Sequence, residues 1–505
     1  MSDNKRIAKN TIFLYIRMLL ILGVTLYASR VVLDKLGVED YGLYNVVGGV
    51  VAILSFISGT LSFGTSRFIT FELGTGNTEK LKTTFSTSFY ANVLIGIILL
   101  VALETVGLWF VYNKLVIPPD RFDAALIVYQ ISLLTMLFNI IQIPYRSAII
   151  AHEEMGVYAY TSIFEAAGKL IACYLIAVGP FDQLVNYALF LALFQIATTL
   201  LYMYYCVRHF EETRPSKRFD KTIVKNILGF SGWNMAANMG QTFNIQGIVI
   251  IMNMFFMPAV VGAQAIASQI GNGIWQFVGS FRTAIDPQII KLYAAGDYEG
   301  SKKLTLRSAV YTFDLILLLA LPCFFLMKFI LNLWLVEVPD FCLVFAQWVI
   351  LQRIPAAIDG TFFTPMVASG RIKRNALFAI ASSLGMLGIL YVIFKLGGDV
   401  MWVQYICLIQ SVCFSFIVKP YILYKDVNYG IREMLLCFVE CFKVMIPAFA
   451  FSYLVYRFVG AATFLQAGAS LILIMAVVCI CSFIFMNKTD RQLLITFVQN
   501  KLKQR

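Results

Sequence analysis

The sequence has few charged residues for its length. Of its 505 residues, 13% are charged and 60% are hydrophobic, whereas a soluble globular protein carries about 25% charged residues. A water-soluble fold of this length cannot bury so much apolar surface, so an arrangement of one or two soluble domains is excluded. The same composition excludes a disordered chain. It suits a protein whose solvent is the lipid bilayer.

Residues that bind metals or carry out catalysis are also scarce. The two histidines, His152 and His209, are isolated, and the ten cysteines contain no CxxC pair, so the spacing of zinc ligands is missing. No acid/base pair at a membrane surface, no phosphate-binding glycine loop before a strand and no GxSxG motif occurs. We therefore expect that the protein is not an enzyme and binds no metal or cofactor. Coupling to an H⁺ or Na⁺ gradient is the one possibility that stays open.

Long apolar segments fill most of the chain. A membrane-spanning helix needs about 20 apolar residues, and the segments of that kind lie at 11–33, 41–65, 83–112, 123–151, 157–178, 184–207, 227–252, 257–283, 304–327, 341–367, 374–395, 399–424, 432–459 and 463–486. They predict an all-α polytopic membrane protein of about 14 transmembrane helices.

The positive charges follow the predicted loops. The chain has 40 Lys and Arg residues and a formal net charge of +12. Most of these cations are counted with the loops on one side of the predicted segments, among them Arg146, Arg282 and Lys419 near the ends of their segments. Because cytoplasmic loops collect Lys and Arg, this bias predicts that both termini are cytoplasmic. No basic stretch is interleaved with aromatic residues as single-strand binding would need, so we expect no nucleic-acid partner.

A weak internal repeat divides the chain. Residues near the end of the second segment recur near the end of the eighth, with Gly59, Ile69, Gly76, Glu79 and Lys82 matching Gly279, Ile289, Gly296, Glu299 and Lys302. Two parallel six-helix repeats are typical of alternating-access carriers. We therefore predict these parts: an N-lobe at 1–207, a cytoplasmic linker at 208–226, a C-lobe at 227–424, a final helix pair at 425–486 and a cytoplasmic amphipathic tail at 487–505.

A few charges fall inside the apolar segments, where each should face a wet cavity or a partner. The candidate cavity cations are Arg17, Arg30, Arg67, Lys169 and Arg353, and the candidate sites for ion or proton coupling are Asp314, Asp359 and Glu165. For several of these residues the sequence also allows a simpler role. Arg30 could reach the outer surface, Glu165 and Lys169 could form a structural i, i+4 pair, and Asp314 could be a partner of Arg353.

Arg353 is the strongest single candidate because it lies at the centre of its segment, two residues before Pro355. A proline kinks a membrane helix chiefly beside a cavity. Amides in the seventh and eighth segments form a second candidate set, since they can bind sugar hydroxyls or join helices. These amides are Asn234, Asn238, Gln241, Gln269 and Asn272.

Several local sequences then suggest a family. They are 30–34 (RVVLD), 37–44 (GVEDYGLY), 64–68 (GTSRF) and 287–297 (PQIIKLYAAGD). With them, the chain resembles the polysaccharide flippases of the multidrug/oligosaccharidyl-lipid/polysaccharide exporter superfamily over nearly its whole length. The final helix pair is similar to the one that forms a lipid-tail groove in lipid II flippases.

The resemblance implies a flippase in the cell inner membrane for an undecaprenyl-pyrophosphate-linked oligosaccharide, moved from the cytoplasmic to the periplasmic leaflet by alternating access for O-antigen, capsule or exopolysaccharide synthesis. The cavity cations would receive the anionic pyrophosphate. One alternative is a cation-coupled multidrug antiporter of the same superfamily, and another is a polytopic polymerase or ligase. The expected partners are the lipid-linked oligosaccharide, the bilayer and the polymerase and chain-length machinery, and the protein is expected to act as a monomer.

Overall fold

The computed structural model describes residues 3–152, 154–178, 180–214, 216, 218–487 and 491–492. Within these ranges it describes only the backbone of residues 3–20, 22, 55–56, 60, 63, 67, 71, 74–75, 155, 225–238, 241, 280, 283–284, 287, 291 and 294. The predicted tail at 487–505 therefore lies almost wholly outside the described residues.

Helices account for all the regular secondary structure of the described residues. In chain order they are α1 (Asp3–Ala52), α2 (Ser55–Thr75), α3 (Thr78–Lys114), α4 (Phe122–Ala151), α5 (Met155–Leu175), α6 (Gln183–His209), α7 (Lys221–Phe255), α8 (Pro258–Ala294), α9 (Tyr298–Phe325), α10 (Met327–Trp334), α11 (Cys342–Ala368), α12 (Lys373–Lys395), α13 (Trp402–Val427), α14 (Ile431–Val459) and α15 (Phe464–Phe485).

The helices are apolar and long enough for a multi-pass membrane protein. Among the described residues, nine helices can cross a bilayer by length and composition, or up to ten if the bent pair formed by α1 and α2 is one span. The all-helical membrane fold predicted from the sequence is thus confirmed. The number of fourteen spans and the cytoplasmic position of both termini stay predictions.

The first two helices differ from the prediction. A loop was expected between 33 and 41, but α1 continues to Ala52 and is broken only at Gly37, where φ is 77°. Glycine adopts this conformation without the steric penalty of a Cβ. The predicted segment 41–65 is instead interrupted by a turn at Ile53 and Leu54. That stretch is uniformly apolar, so hydropathy gave no sign of the turn.

The chain forms two compact units. Unit 1 comprises Met1–Ala265, Trp334–Asp340 and Ala376–Val403, and unit 2 comprises Ile266–Leu333, Phe341–Asn375 and Gln404–Arg505. The lobes, linker, helix pair and tail predicted from the repeat remain a prediction.

Within unit 1, a core of buried residues joins α2, α3, α4 and α6, and it includes Ile69, Phe85, Tyr145 and Tyr202.

The segment after α6 is bound to unit 1. Glu211 pairs with Lys82 at 3.6 Å, the buried Glu212 lies 2.6 Å from Nε2 of His152, and Arg218 pairs with Glu79. The ring of His152 also stacks on Phe210 with centroids 3.9 Å apart. This part of the predicted linker is therefore a docked element of the unit.

A second charge cluster in unit 1 is centred on Arg121. Arg121 donates to both Asp40 and Asp182, and Asp182 also caps α6 by accepting from the N–H of Leu184 at 3.0 Å. Burial opposes ionisation of Asp182, but the hydrogen bond and charge of Arg121 outweigh it and hold the pKa of Asp182 below its ordinary value.

Two backbones approach closely at Gly42. A Cβ placed on Gly42 would collide with the carbonyl oxygen of Pro258 at the start of α8, and one on Gly262 would lie 2.9 Å from the carbonyl oxygen of Val38. We expect Gly42→Ala to lower the free energy of unfolding by about 1–3 kcal/mol, the usual cost of overpacking. Thermal denaturation of the purified protein measures it. Gly385→Ala is the control, because nothing lies within 4 Å of a Cβ there, and an equal effect of both variants would contradict the packing argument.

Candidate functional site

A polar face of α8 meets a polar face of α11 within unit 2. Asn272, Trp275, Arg282 and Asp286 recur on α8 at the spacing of one helical face, and Arg353, Gly360 and Thr364 do so on α11. The two helices meet at three points along these faces. The sequence had pointed to Asn272 and Arg353 separately, and the structure brings them together.

Arg353 is the first of these points. Its Nη2 donates to Oδ1 of Asn272 at 2.9 Å, and the side chain is partly exposed. Among the described residues, no carboxylate lies within ion-pair distance of Arg353, so the suggested pairing with Asp314 is not seen. A guanidinium with a neutral partner keeps its full charge and most of its five N–H donors for an anion.

Arg282 and Asp286 form the second and third points. Arg282 lies 3.4 Å from Asp286, whose other carboxylate oxygen accepts from Thr364 at 2.8 Å. The guanidinium of Arg282 fits against α11 because Gly360 has no side chain there. Because Asp286 neutralises Arg282, this pair offers less attraction for an anion than Arg353 does.

Asp359 has a partner that the sequence did not suggest. Nζ of Lys419 on α13 lies 3.0 Å from Oδ1 of Asp359, and the Lys419 side chain is only 3% exposed. The ammonium also lies over the rings of Phe363 and Phe414, at 4.9 and 5.6 Å from their centroids. Lys419 follows a π-helical turn at Phe414–Val418, which shifts the register of the helix at this point.

Asp314 lies elsewhere in unit 2. It lines a small cavity of about 40 Å³ together with Arg307, Tyr311, Glu440 and Ser482. The position is compatible with the predicted coupling role. Gln269 lies on α8 and is partly exposed.

Unit 1 contains a larger cavity of about 380 Å³. Its walls come from α1, α2, α4 and α6, and they include Tyr44, Ser132, Thr135, Asn139 and Arg146. Nη2 of Arg146 donates to Oγ of Ser62 at 3.2 Å. Arg146 is thus a second arginine with a neutral hydrogen-bond partner, and it was assigned to a cytoplasmic loop from the sequence.

The other predicted residues of unit 1 have varied outcomes. Glu165 and Lys169 are 3.6 Å apart, with 41% and 51% of their side chains exposed, so the i, i+4 pair forms. Arg30 is exposed on α1. The remaining predicted residues have side chains outside the described part of the structure, and they are Arg17, Arg67, Asn234, Asn238 and Gln241.

Sequence reasoning missed Arg146, Arg282 and Lys419 because each was counted as a loop cation near the end of an apolar segment. A signal for Arg146 was present, since Ser132, Thr135, Asn139 and Arg146 recur at helical spacing. Among the described residues, no group of three His, Cys, Asp or Glu side chains is placed to hold a metal ion.

Comparisons with known proteins place this fold. A family model described as polysaccharide biosynthesis protein matches residues 7–293. No curated protein matches the sequence.

Three solved structures illustrate the similarity. Lipid II flippase MurJ in an inward closed conformation has a TM-score of 0.70 at 13% identity, covering 94% of this chain and 98% of its own. An inward-facing multidrug resistance MATE family transporter of the MOP superfamily has a TM-score of 0.68 at 13% identity, covering 80% and 95%. A MOP superfamily transporter from Pyrococcus furiosus has 0.58 at 12% identity, covering 83% and 96%. The likeness shows a shared MOP-type transporter fold.

Proposed function

The chain belongs to the polysaccharide biosynthesis protein family, and on this premise we propose that it is a flippase for undecaprenyl-pyrophosphate-linked oligosaccharides. It would move the repeat units of a surface polysaccharide from the cytoplasmic to the periplasmic leaflet of the inner membrane by alternating access. The family and the fold point to a transporter rather than an enzyme, which disfavours a polymerase or ligase. Fourteen spans with both termini in the cytoplasm fit this role.

The observation that carries the proposal is that the positive charge of Arg353 has a neutral partner. It stands inside an apolar helix with a neutral amide as its partner, and an uncompensated charge at membrane depth is costly unless it serves a ligand. A pyrophosphate is the complementary ligand, because guanidinium forms paired hydrogen bonds with phosphate oxygens. Arg17, Arg30 and Arg67 are proposed as further cations for the head group, and Lys169, which is paired with Glu165, as a weaker one.

The second candidate is a cation-coupled multidrug antiporter. It is favoured by the fold shared with a MATE family transporter, but a cationic drug needs free carboxylates. Glu165 and Asp359 each have a lysine partner, which makes them weaker drug ligands. We propose that coupling to an H⁺ or Na⁺ gradient uses Asp314, with Glu165 and Asp359 as further candidates. We propose no cofactor.

Deletion of the gene separates the two functions. We expect the mutant cell to lose a surface polysaccharide and to accumulate its lipid-linked repeat unit on the cytoplasmic side, because synthesis continues while translocation stops. Mass spectrometry of extracted lipid-linked sugars, with and without the gene restored, measures this. Increased drug sensitivity with unchanged lipid-linked sugars would instead support the antiporter.

A further inference from the structure

The cavity of unit 1 has the size and composition of a small-molecule site. Its volume is about 380 Å³, within the range of about 300–1,000 Å³ found for ligand pockets. Part of the lining is apolar, from residues such as Val51, Met136 and Leu191. A few polar groups face them from α4, and this combination of apolar walls and placed polar groups is typical of ligand pockets.

Ser132, Thr135, Asn139 and Arg146 of α4 form the polar wall of the cavity. Its two hydroxyl groups can only accept hydrogen bonds from a ligand. Ser132 donates to the carbonyl of Val128 at 2.8 Å, and Thr135 donates to the carbonyl of Ile131 at 2.9 Å. Each hydroxyl has one proton, and here that proton is used within α4. What Ser132 and Thr135 offer to the cavity is therefore lone pairs, which accept hydrogen bonds and repel an anion.

The rest of the wall complements a ligand that is rich in hydroxyl groups. Asn139 follows Thr135 by one helical turn on the same face of α4, and its exposed amide can both donate and accept. The ring of Tyr44 is held by an edge contact with Tyr187, their centroids 5.0 Å apart, and it offers a flat apolar surface. Arg146 places charged donors at the far end of this wall.

We infer that this cavity is a saccharide subsite, which recognises the sugar of the lipid-linked substrate through Thr135, Asn139 and Tyr44. Sugar hydroxyls are donors as well as acceptors, so they satisfy the lone pairs of Ser132 and Thr135, whereas a phosphate group has only acceptors to offer them. The apolar faces of a sugar ring suit the ring of Tyr44. The inference rests on the proposed function for its substrate, and it assigns sugar recognition to α4 and to Tyr44 of α1.

The test uses purified protein in vesicles and two probes. One probe is undecaprenyl pyrophosphate carrying the oligosaccharide extracted from the producing cell, and the other is undecaprenyl pyrophosphate without sugar. We expect Thr135→Val and Asn139→Leu each to slow flipping of the glycosylated probe by about tenfold, because a sugar hydroxyl loses its partner, while the sugar-free probe moves at the wild-type rate. Thr105→Val is the matched control, since Thr105 makes the same bond to its own helix but does not line the cavity.

Equal slowing of both probes would overturn the inference, because it would show a structural role for the wall. Unchanged flipping of the glycosylated probe would also overturn it. Binding of the released oligosaccharide to the solubilised protein is measured by calorimetry in parallel, and it should weaken in both variants. If wild-type protein moves neither probe, the flippase proposal fails, and the binding measurement alone decides the subsite. Sugar binding that depends on Thr135 and Asn139 then supports the subsite, and the lack of such binding refutes it.

Discussion

Arg353→Gln is expected to abolish surface polysaccharide while the protein remains folded in the membrane. Glutamine keeps a long polar side chain that can still bond with Asn272, so the contact between α8 and α11 survives in part. What is lost is the positive charge. A hydrogen bond to a charged group is worth about 1.5–3 kcal/mol, which corresponds to a loss of roughly tenfold to more than a hundredfold in head-group affinity.

The measurement pairs polysaccharide display on cells with the amount of protein in isolated membranes. Arg353→Lys should retain part of the activity, because lysine keeps the charge but lacks the planar fork that binds two phosphate oxygens. Arg432→Gln is the control, since Arg432 is an exposed arginine at the start of α14. Normal polysaccharide in cells with Arg353→Gln would remove Arg353 from the substrate site.

Five candidate cations fall into two groups according to their partners. Lys169, Arg282 and Lys419 each lie near a carboxylate, and such a pair adds little net attraction for an anion. Arg146 and Arg353 have neutral hydrogen-bond partners and keep their charge available. The proposed roles follow from this difference, with Arg353 for the pyrophosphate in unit 2 and Arg146 at one end of the sugar subsite in unit 1.

The sequence predicted the helices well because hydropathy is a strong, local signal. The segment 123–151 is α4 (Phe122–Ala151), and 432–459 is α14 (Ile431–Val459), each within a residue or so. The turn at Ile53 and Leu54 escaped prediction because membrane helices tolerate glycine, so Gly48 and Gly49 gave no reliable warning. Hydropathy measures the preference for lipid, and an interruption inside an apolar stretch does not change that preference.

The candidate site was predicted only in part, because partner choice depends on tertiary contacts. Arg353 was found by its depth in an apolar segment, which is a local property. Its partner Asn272 is far away in the chain, and no local pattern could identify it. Lys419 lies beside Pro420 and near the end of its segment, so it was assigned to a loop, whereas the structure buries it against Asp359.

Lys419→Met is expected to reduce the amount of folded protein sharply. The substitution keeps an apolar side chain of similar length between Phe363 and Phe414, but it leaves the carboxylate of Asp359 without its cation. Removing one partner of a buried ion pair costs about 3–5 kcal/mol, because the remaining charge is left uncompensated. We expect a loss at the lower end of this range, since 33% of the Asp359 side chain is exposed. Thermal denaturation and the yield of monodisperse protein in detergent measure the loss.

The double variant Asp359→Asn with Lys419→Met should recover most of that stability, since it removes both charges together. A double variant as unstable as Lys419→Met alone would contradict the ion-pair argument.

Because the double variant is expected to fold, it also tests ion coupling. Flipping that still responds to an H⁺ or Na⁺ gradient would exclude Asp359 from coupling and leave the pair a structural role between α11 and α13, whereas flipping that no longer responds would assign the coupling ion to Asp359.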